Sequence, residues 1–264
     1  SQPVPERCPE CGGPLKTIGT GTQKVQEELE FLFPDMETDR MDADTVSAVN
    51  THEKILEHFQ KENVPVLLGT QMVAKGLNLP NVTLVGVLDA DLSLYTGGYL
   101  AGETTFNMLT QVVGRAGRGD CEGRALIQTL TPNNAIIQLA AKQDYDSFYE
   151  LEIGLRRVQD LPPFGDQILV AFQGEQEQQV LLGAMKFRDS LLELQRSWAL
   201  GPLTVLGPAP SPVPKVNYRY RYRLTVLGKM TKELRSGLSY LLRSFGKDSK
   251  MRGVTAFIDV NGFE

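Results

Sequence analysis

The first half of the chain, from about residue 15 to residue 130, alternates short apolar runs with patterns of helical period. Nearly all-apolar runs are typical of parallel strands buried on both faces, and they lie at Val64–Leu68, Val82–Leu88 and Gly123–Gln128. Apolar residues recur near the helical period at Lys24–Phe33, Thr45–Lys61 and Glu103–Ala116. This alternation predicts a doubly wound α/β sheet with right-handed crossovers and a functional edge at the carboxyl ends of its strands.

The second half has a different order of elements. Residues 133–160 predict helices that lead out of the sheet, and Pro162 and Pro163 interrupt them. The pattern then predicts a strand (Gln167–Phe172), a helix (Gln176–Ser197), a strand (Leu203–Leu206), a proline-rich loop (Gly207–Pro214), a strand (Asn217–Leu227), a helix (Thr231–Phe245) and a strand (Val254–Val260). This βαββαβ order predicts a smaller α+β domain with its helices on one face of the sheet.

Composition narrows the class of protein. With 264 residues, of which 41% are hydrophobic, the chain can form two domains with apolar cores. We expect no membrane segment, because no apolar run is long enough and the N-terminus lacks a signal-peptide pattern. Three cysteines are too few for a secreted disulfide framework, which favours a reducing cytosol. The net charge of −5 argues against a DNA-binding surface over the whole protein, so any DNA contact must be local.

A glycine- and arginine-rich string, QVVGRAGR (Gln111–Arg118), ends one of the predicted helices. Guanidinium groups bind phosphate oxygens bidentately and stay charged. An arginine that reaches a γ-phosphate across a cleft stabilises the charge of the transition state. The string therefore points to Arg115 and Arg118 as contacts of a nucleoside triphosphate, although alone it also fits a basic helix end followed by a turn.

A second string, GTQMVAKGLN (Gly69–Asn78), directly follows the predicted strand Val64–Leu68. Its hydroxyl, amide and ammonium groups can hold phosphate or a nucleic-acid backbone at the carboxyl end of that strand. Alone it also fits an ordinary strand-to-helix turn with Thr70 as the N-cap. Both strings in this order, with an apolar strand between them, favour the nucleotide and nucleic-acid interpretation.

Longer strings resemble one group of helicases. LLGTQMVAKGLNLPNVTLVGVLDADLSL (Leu67–Leu94) and FNMLTQVVGRAGRG (Phe106–Gly119) resemble motifs V and VI of superfamily 2 helicases, and more narrowly the PriA family of replication-restart helicases. The resemblance runs from CPECGG at Cys8 through LPPF at Leu161 to IDV at Ile258. It implies a remnant of a zinc-binding insertion at residues 1–13, a second, RecA-like parallel-sheet helicase lobe at 14–160, and an S10-like C-terminal domain at 161–264.

The resemblance also implies roles for individual residues of the helicase lobe. They are catalytic Arg115, Arg118 and Gln111, nucleotide-binding Gly76 and Lys75, and DNA-binding Thr70, Gln71 and Thr22. Thr22 closes the string GTGT, which also fits a glycine turn with a threonine cap. ATP and Mg²⁺ would be bound mainly by a first lobe, because this chain has no GxxxxGK[ST] loop. Asp89 and Asp91 match an acidic pair of the family.

Cys8 and Cys11 have the spacing of half a zinc site. Structural zinc takes four ligands, whereas Cys121 and the two histidines lack a suitable spacing. The resemblance implies that the full-length protein binds Zn²⁺ and that its zinc site is completed by cysteines that this chain does not contain. We therefore expect no zinc in this chain by itself.

The second half contains the run KVNYRYRYRL (Lys215–Leu224). Period-two alternation places its tyrosines on one face of a strand and its arginines on the other. The run fits a half-buried strand with a solvated basic face, and it also fits recognition of single-stranded DNA or of an acidic peptide. The resemblance implies binding of DNA and of the acidic C-terminal tail of single-stranded DNA-binding protein, with Arg221, Arg223 and Lys215 as partner-binding residues.

We therefore expect the C-terminal part of an ATP-dependent 3′→5′ DNA helicase that restarts stalled forks and initiates primosome assembly. A chain without an initial methionine fits an excised piece, which alone should be ATPase-inactive. The expected partners are forked and single-stranded DNA, single-stranded DNA-binding protein and other primosome proteins, in the bacterial cytoplasm near the nucleoid. The alternatives are a non-catalytic adaptor that binds single-stranded DNA or its binding protein, and a different superfamily 2 motor, which Cys8 and the βαββαβ domain disfavour.

Overall fold

The computed structural model describes residues 21–42, 51–70, 82–95, 98–114 and 123–262. The chain divides into two compact units, residues 1–148 and 149–264. The domain boundaries at 13/14 and 160/161 stay predictions.

The first unit alternates helices and short strands in the predicted order. Its helices are α1 (Thr22–Leu32), α2 (Thr51–Lys61), α3 (Asp91–Leu94), α4 (Ala101–Val113), α5 (Ala135–Lys142) and α6 (Tyr145–Val158), the last of which continues into the second unit. Its strands are β1 (Thr38–Met41), β2 (Val66–Gly69), β3 (Leu84–Val87) and β4 (Arg124–Ile127). The helix expected from Thr45 is described only from Thr51, because residues 43–50 lie outside the described ranges.

The strands of this unit form two parallel pairs, β1 with β2 and β3 with β4. Parallel pairing confirms the prediction, but burial on both faces is wrong for β3 and β4. Val87 and Ile127 pack on the core, whereas Leu84 and Leu126, on the opposite face, are 58% and 63% exposed. The apolar runs therefore identify β3 and β4 correctly but overstate their burial, because the core formed by the described residues covers only one face of this pair.

The core of the first unit lies between the β3–β4 pair and helices α4, α5 and α6. Phe106 on α4 stacks on Phe148 of α6 with ring centroids 4.0 Å apart, and Leu109, one helical turn further along, is fully buried. Asn134 caps α5 by accepting hydrogen bonds from the backbone N–H groups of Ile136 and Ile137. These contacts fix the axis of α4, which leads into the arginine string.

The second unit has the predicted βαββαβ order. Its elements are β5 (Asp166–Gly174), α7 (Glu177–Ser197), β6 (Thr204–Val216), β7 (Arg219–Gly228), α8 (Lys232–Lys247) and β8 (Val254–Val260). All neighbouring strands are antiparallel, in the order β6-β7-β5-β8. Strands β7 and β5 are therefore central, and β6 and β8 are the edges.

Helices α7 and α8 pack on one face of the sheet, as predicted. The core alternates along the strands and includes Ile168, Val170 and Phe172 of β5. Phe172 meets Phe187 of α7 and Phe245 of α8 edge-on, with centroids 5.5 and 5.7 Å apart. Each fully buried side chain of this kind contributes about 1.5–3 kcal/mol relative to its exposed state. The opposite face of the sheet, here called the helix-free face, has neither α7 nor α8 on it.

Two local predictions in this unit are wrong. The proline-rich segment Gly207–Pro214 is not a loop but part of β6, whose pairing with β7 is interrupted at two irregularities. An edge strand tolerates proline because the missing N–H can face away from the sheet. The strand expected from Asn217 begins at Arg219, because Asn217 and Tyr218 both have positive φ angles and form the tight turn between β6 and β7.

Candidate nucleotide-binding and DNA-binding sites

The carboxyl edge of the β1–β2 pair brings together residues from three elements. Thr22, the first residue of α1, donates a hydrogen bond to the buried carboxylate of Asp42, just after β1. Arg40 Nε lies 3.1 Å from the same carboxylate. Met41 and Gly69 are register partners, so Thr70 follows β2 beside the end of β1, and Thr70 is exposed. Two predicted DNA contacts, Thr22 and Thr70, therefore lie at one edge of the sheet.

Gln111 lies on the exposed side of α4, opposite the buried residues Thr105, Phe106 and Leu109. The helix ends at Gly114, whose N–H donates to the carbonyl of Thr110. Gln143 donates a second hydrogen bond, 3.3 Å long, to that carbonyl. The last turn of α4 is thus fixed from two sides immediately before Arg115.

Asp91 is a buried acid with a defined structural role. It is 3% exposed, and its carboxylate accepts hydrogen bonds from the Leu130 N–H at 2.7 Å, from Thr129 Oγ1 at 3.0 Å and from Thr131 Oγ1. Burial alone would raise the pKa of Asp91, but the hydrogen bonds from Thr131, Leu130 and Thr129 lower it below its usual value. Asp91 therefore holds the segment after β4 against the segment after β3.

In the second unit, the predicted partner-binding residues have separate environments. Lys215 Nζ lies 4.2 Å from the ring centroid of Tyr220 and 3.1 Å from its hydroxyl. Arg221 and Arg223 are register partners of Gln173 and Ala171 in β5. Because these positions alternate with the core residues of the strands, both arginines lie on the helix-free face.

Tyr222 lies on the opposite face of β7 from the arginines, as the alternation predicts. It packs on the core of the unit, and its hydroxyl donates to Glu177 at 3.0 Å. Burial and the Glu177 carboxylate raise the pKa of Tyr222. Tyr218 does not share this face, since it lies in the turn and is 86% exposed.

Two family models match the chain. Residues 18–120 match the helicase conserved C-terminal domain, and residues 157–262 match the primosomal protein N C-terminal domain. Replication restart protein PriA of Bacillus subtilis is 40% identical over 263 residues, 99% of this chain and 32% of the relative. The PriA proteins of Synechocystis and Haemophilus influenzae are 41% and 34% identical, each over 78% of this chain and over 24% and 28% of their own length.

The chain belongs to the PriA family. It spans about a quarter to a third of the length of the PriA relatives that it matches. The PriA-type fold class, a helicase lobe with parallel strands and a smaller α+β domain, agrees with both units.

Several residues predicted from the PriA resemblance lie outside the described ranges. They are Arg115, Arg118, Gln71, Lys75, Gly76, Cys8 and Cys11. Their roles stay predictions, as does the absence of zinc from this chain. Within the described ranges, His, Cys, Asp and Glu side chains do not come together in threes as a metal site would require. The helices described here include none with the length and apolar character needed to cross a membrane.

The sequence did not indicate a pocket that lies between α8 and the edge strand β8. Its volume is about 210 Å³. It is mostly apolar, with one cation, and is lined by Met230, Arg235, Leu238, Ser239, Leu242, Ile258 and Val260. The sequence periodicity shows only that α8 and β8 each have an apolar face. A pocket between them can be recognised only when the fold shows that the two elements lie side by side.

Proposed function

We propose that the protein is the C-terminal part of an ATP-dependent DNA helicase of the replication-restart type and that its first unit is the second motor lobe. The match of residues 18–120 to the helicase C-terminal domain carries this proposal. Replication restart is the role named for the Bacillus subtilis relative, replication restart protein PriA. For this chain, restart of stalled forks, 3′→5′ movement and primosome assembly are proposed from the resemblance to the PriA family. Forked and single-stranded DNA are the proposed substrates.

The arrangement around α4 supports the catalytic part of the proposal. The buried face of α4 is held by Phe106 and Leu109, and its last turn by Gln143. Arg115 and Arg118 follow that turn in the sequence. The described part of α4 thus gives the arginine string a firmly held starting point, and stabilisation of a γ-phosphate requires guanidinium groups in defined positions.

ATP and Mg²⁺ are proposed to be bound mainly by another lobe of the full-length protein. When bound, ATP would supply the free energy of its hydrolysis for movement on DNA, and Mg²⁺ would neutralise charge on its phosphates. In this chain, Gln111 is proposed to orient the arginines, and Gly76 and Lys75 are proposed to contact the nucleotide. Thr70, Gln71 and Thr22 are the proposed contacts of the DNA backbone, and the Thr22 hydroxyl would have to leave Asp42 to donate to a phosphate. Asp91 is not proposed as a metal ligand, since its carboxylate already accepts three hydrogen bonds. Cys8 and Cys11 are proposed as half of the zinc site of the full-length protein.

The test joins this chain to an N-terminal helicase lobe of a PriA relative and measures fork-stimulated ATP hydrolysis. The joined protein should hydrolyse ATP, whereas the chain alone should not. Arg118→Ala should reduce kcat by about 10³-fold or more, as for other arginine fingers, and Arg188→Ala, on α7, should leave it unchanged. Substantial DNA-stimulated hydrolysis by the chain alone would contradict the proposed division of the site.

A second function, binding of the acidic tail of single-stranded DNA-binding protein, is favoured by the pocket beside α8. The apolar lining suits the side chain of a terminal residue, and Arg235 suits a carboxylate. Arg221, Arg223 and Lys215 are the alternative tail-binding residues. Titration of a labelled acidic tail peptide separates these sites, because Arg235→Ala weakens binding only if the pocket is occupied, and Arg221→Gln only if the helix-free face is.

A further inference from the structure

Gln143, at the junction between α5 and α6, has a side chain that reaches the last turn of α4. Its Nε2 donates to the Thr110 carbonyl at 3.3 Å, and the same carbonyl accepts the Gly114 N–H at 3.0 Å. A carbonyl oxygen has two lone pairs, so it can accept from both donors. A Cβ on Gly114 would lie 3.1 Å from Gln143 Nε2, so the amide approaches through the space that this glycine leaves open.

The backbone of Gln143 has a conformation that favours glycine. Its φ angle is +56°, at the position after a helix that glycine occupies most often. The N–H groups of Gln143 and Asp144 donate back to the carbonyls of Ala140 and Leu139, so backbone groups alone complete the end of α5. Asp144 separately caps α6 by accepting a hydrogen bond from the Ser147 N–H at 3.1 Å. The junction therefore needs no side chain at Gln143, and glutamine carries a conformational cost there.

The junction lies along one face of α4. Phe106 and Thr110 are one helical turn apart on this helix. Phe148 stacks on Phe106, and the ring of Tyr145 lies 6.3 Å from the same phenylalanine. Aromatic packing thus fixes the middle of α4, and Gln143 adds a hydrogen bond one turn later, where the chain leaves the helix for the arginine string.

We propose that Gln143 is a positioning residue of the ATPase reaction, because it sets the direction in which the chain leaves α4 towards Arg115 and Arg118. This inference rests on the proposed function, since these arginines can act on a γ-phosphate only in a complete motor. An arginine finger acts in the transition state, and a displacement of about 1 Å can lower a rate by about 10²-fold. The side chain of Gln143 therefore contributes to the rate of hydrolysis and not to the stability of its own junction.

The test measures kcat and KM for ATP, with saturating forked DNA, in the chain joined to an N-terminal helicase lobe of a PriA relative. Gln143→Gly should lower kcat about fivefold, the equivalent of one ordinary hydrogen bond, and leave KM for ATP unchanged. The urea midpoint of the 264-residue chain should stay or rise, because glycine relieves the positive φ angle. A merely structural role for the side chain predicts a lower midpoint.

Two further variants isolate the hydrogen bond to α4. Gln143→Lys keeps a donor long enough to reach the Thr110 carbonyl and should keep the kcat of the parent. Gln138→Ala is the matched control on α5, since Gln138 also donates from Nε2 to a backbone carbonyl, that of Pro132, but makes no hydrogen bond to α4. It should leave kcat unchanged. An equal fall of kcat in Gln143→Lys and Gln143→Gly would overturn the proposal.

The Arg118→Ala background separates failure of this inference from failure of the proposed function. If Gln143 acts through the arginines, Gln143→Gly should not lower kcat further in Arg118→Ala, whereas a further fivefold fall would overturn the inference. A large loss in Arg118→Ala with parent kcat in Gln143→Gly would also overturn it and leave the motor proposal standing. Parent kcat in Arg118→Ala would refute the proposed function, and this inference with it.

Discussion

Removal of the Asp91 carboxylate should destabilise the first unit without affecting the second. In the parent, Asp91 is 3% exposed and satisfies the backbone N–H of Leu130 at 2.7 Å together with two threonine hydroxyls. A hydrogen bond to a charged group contributes about 1.5–3 kcal/mol. In Asp91→Ala the hydroxyls can rotate towards other acceptors, but the Leu130 N–H is fixed and loses its partner.

We expect Asp91→Ala to lower the free energy of unfolding of the first unit by about 3 kcal/mol, and Asp91→Asn by about 1–2 kcal/mol. Asparagine keeps one oxygen for the Leu130 N–H and loses the charge. Thr131→Val, which removes one hydroxyl donor, should cost about 1 kcal/mol. The Asp91→Ala and Thr131→Val effects should not add in the double variant, because they remove the same interaction.

The single tryptophan of the chain, Trp198, provides an internal control because it lies in the second unit. Urea unfolding followed by far-UV circular dichroism reports both units, whereas tryptophan fluorescence reports the second. Asp91→Ala should move the circular-dichroism transition and leave the fluorescence transition in place. Asp35→Asn, at an exposed acid, should move neither. A shift of less than about 0.5 kcal/mol in Asp91→Ala would refute the structural role of Asp91.

The lowered pKa of Asp91 adds a pH dependence with a definite sign. A carboxylate whose pKa is depressed in the folded state contributes stability above its ordinary pKa of about 3.9, and this stability is lost as the pH falls through the folded-state pKa. The parent and Asp91→Asn should therefore converge in stability in acid. His58 should show the opposite pH dependence, because its hydrogen bond to Asp39 at 3.1 Å raises its pKa. Its contribution to stability is present below about pH 6.5 and is lost as the pH rises through the raised pKa. NMR titration should show a lower His58 pKa in Asp39→Asn than in the parent. Asn261→Ala should destabilise the second unit by about 1–2 kcal/mol, because Asn261 accepts a hydrogen bond from the Gln167 N–H and donates one to Asp166. Urea unfolding followed by tryptophan fluorescence measures this loss. If the double variant with Asp166→Ala lost the sum of the two single losses, Asn261 and Asp166 would not stabilise the unit through one shared interaction.

Local patterns in the sequence predicted most of the elements, because each depends on residues close together in the chain. The helical period of α7 and α8 and the alternation in β7 correctly separate core residues from exposed ones, down to Tyr222 against Arg221 and Arg223. Strand β1 was missed, since Thr38–Met41 is largely polar and is a strand only through its pairing with β2. That pairing joins residues 28 positions apart, beyond the reach of local periodicity.

The partners of the candidate site residues were less predictable for the same reason. The family resemblance singled out Asp91 as part of an acidic pair after a strand, but its hydrogen-bond donors are 38 to 40 residues away. The pocket beside α8 likewise depends on the approach of Met230 and Arg235 to Ile258 and Val260. Chemistry that depends on residue type can be inferred from the chain, whereas chemistry that depends on two distant segments meeting requires the fold.

The misassigned proline segment shows how the two edges of the second sheet differ. Strand β6 carries Pro208, Pro210, Pro212 and Pro214 along one edge, and proline blocks the addition of a further strand because it has no N–H to donate. Strand β8, the other edge, contains no proline and pairs with β5 without interruption from Val254 to Val260. Any extended partner that adds to this sheet must therefore do so at β8. Phe257 and the pocket lined by Arg235 lie on opposite faces of that strand. A substitution on one face therefore leaves the other intact, and the occupancy of each can be tested separately.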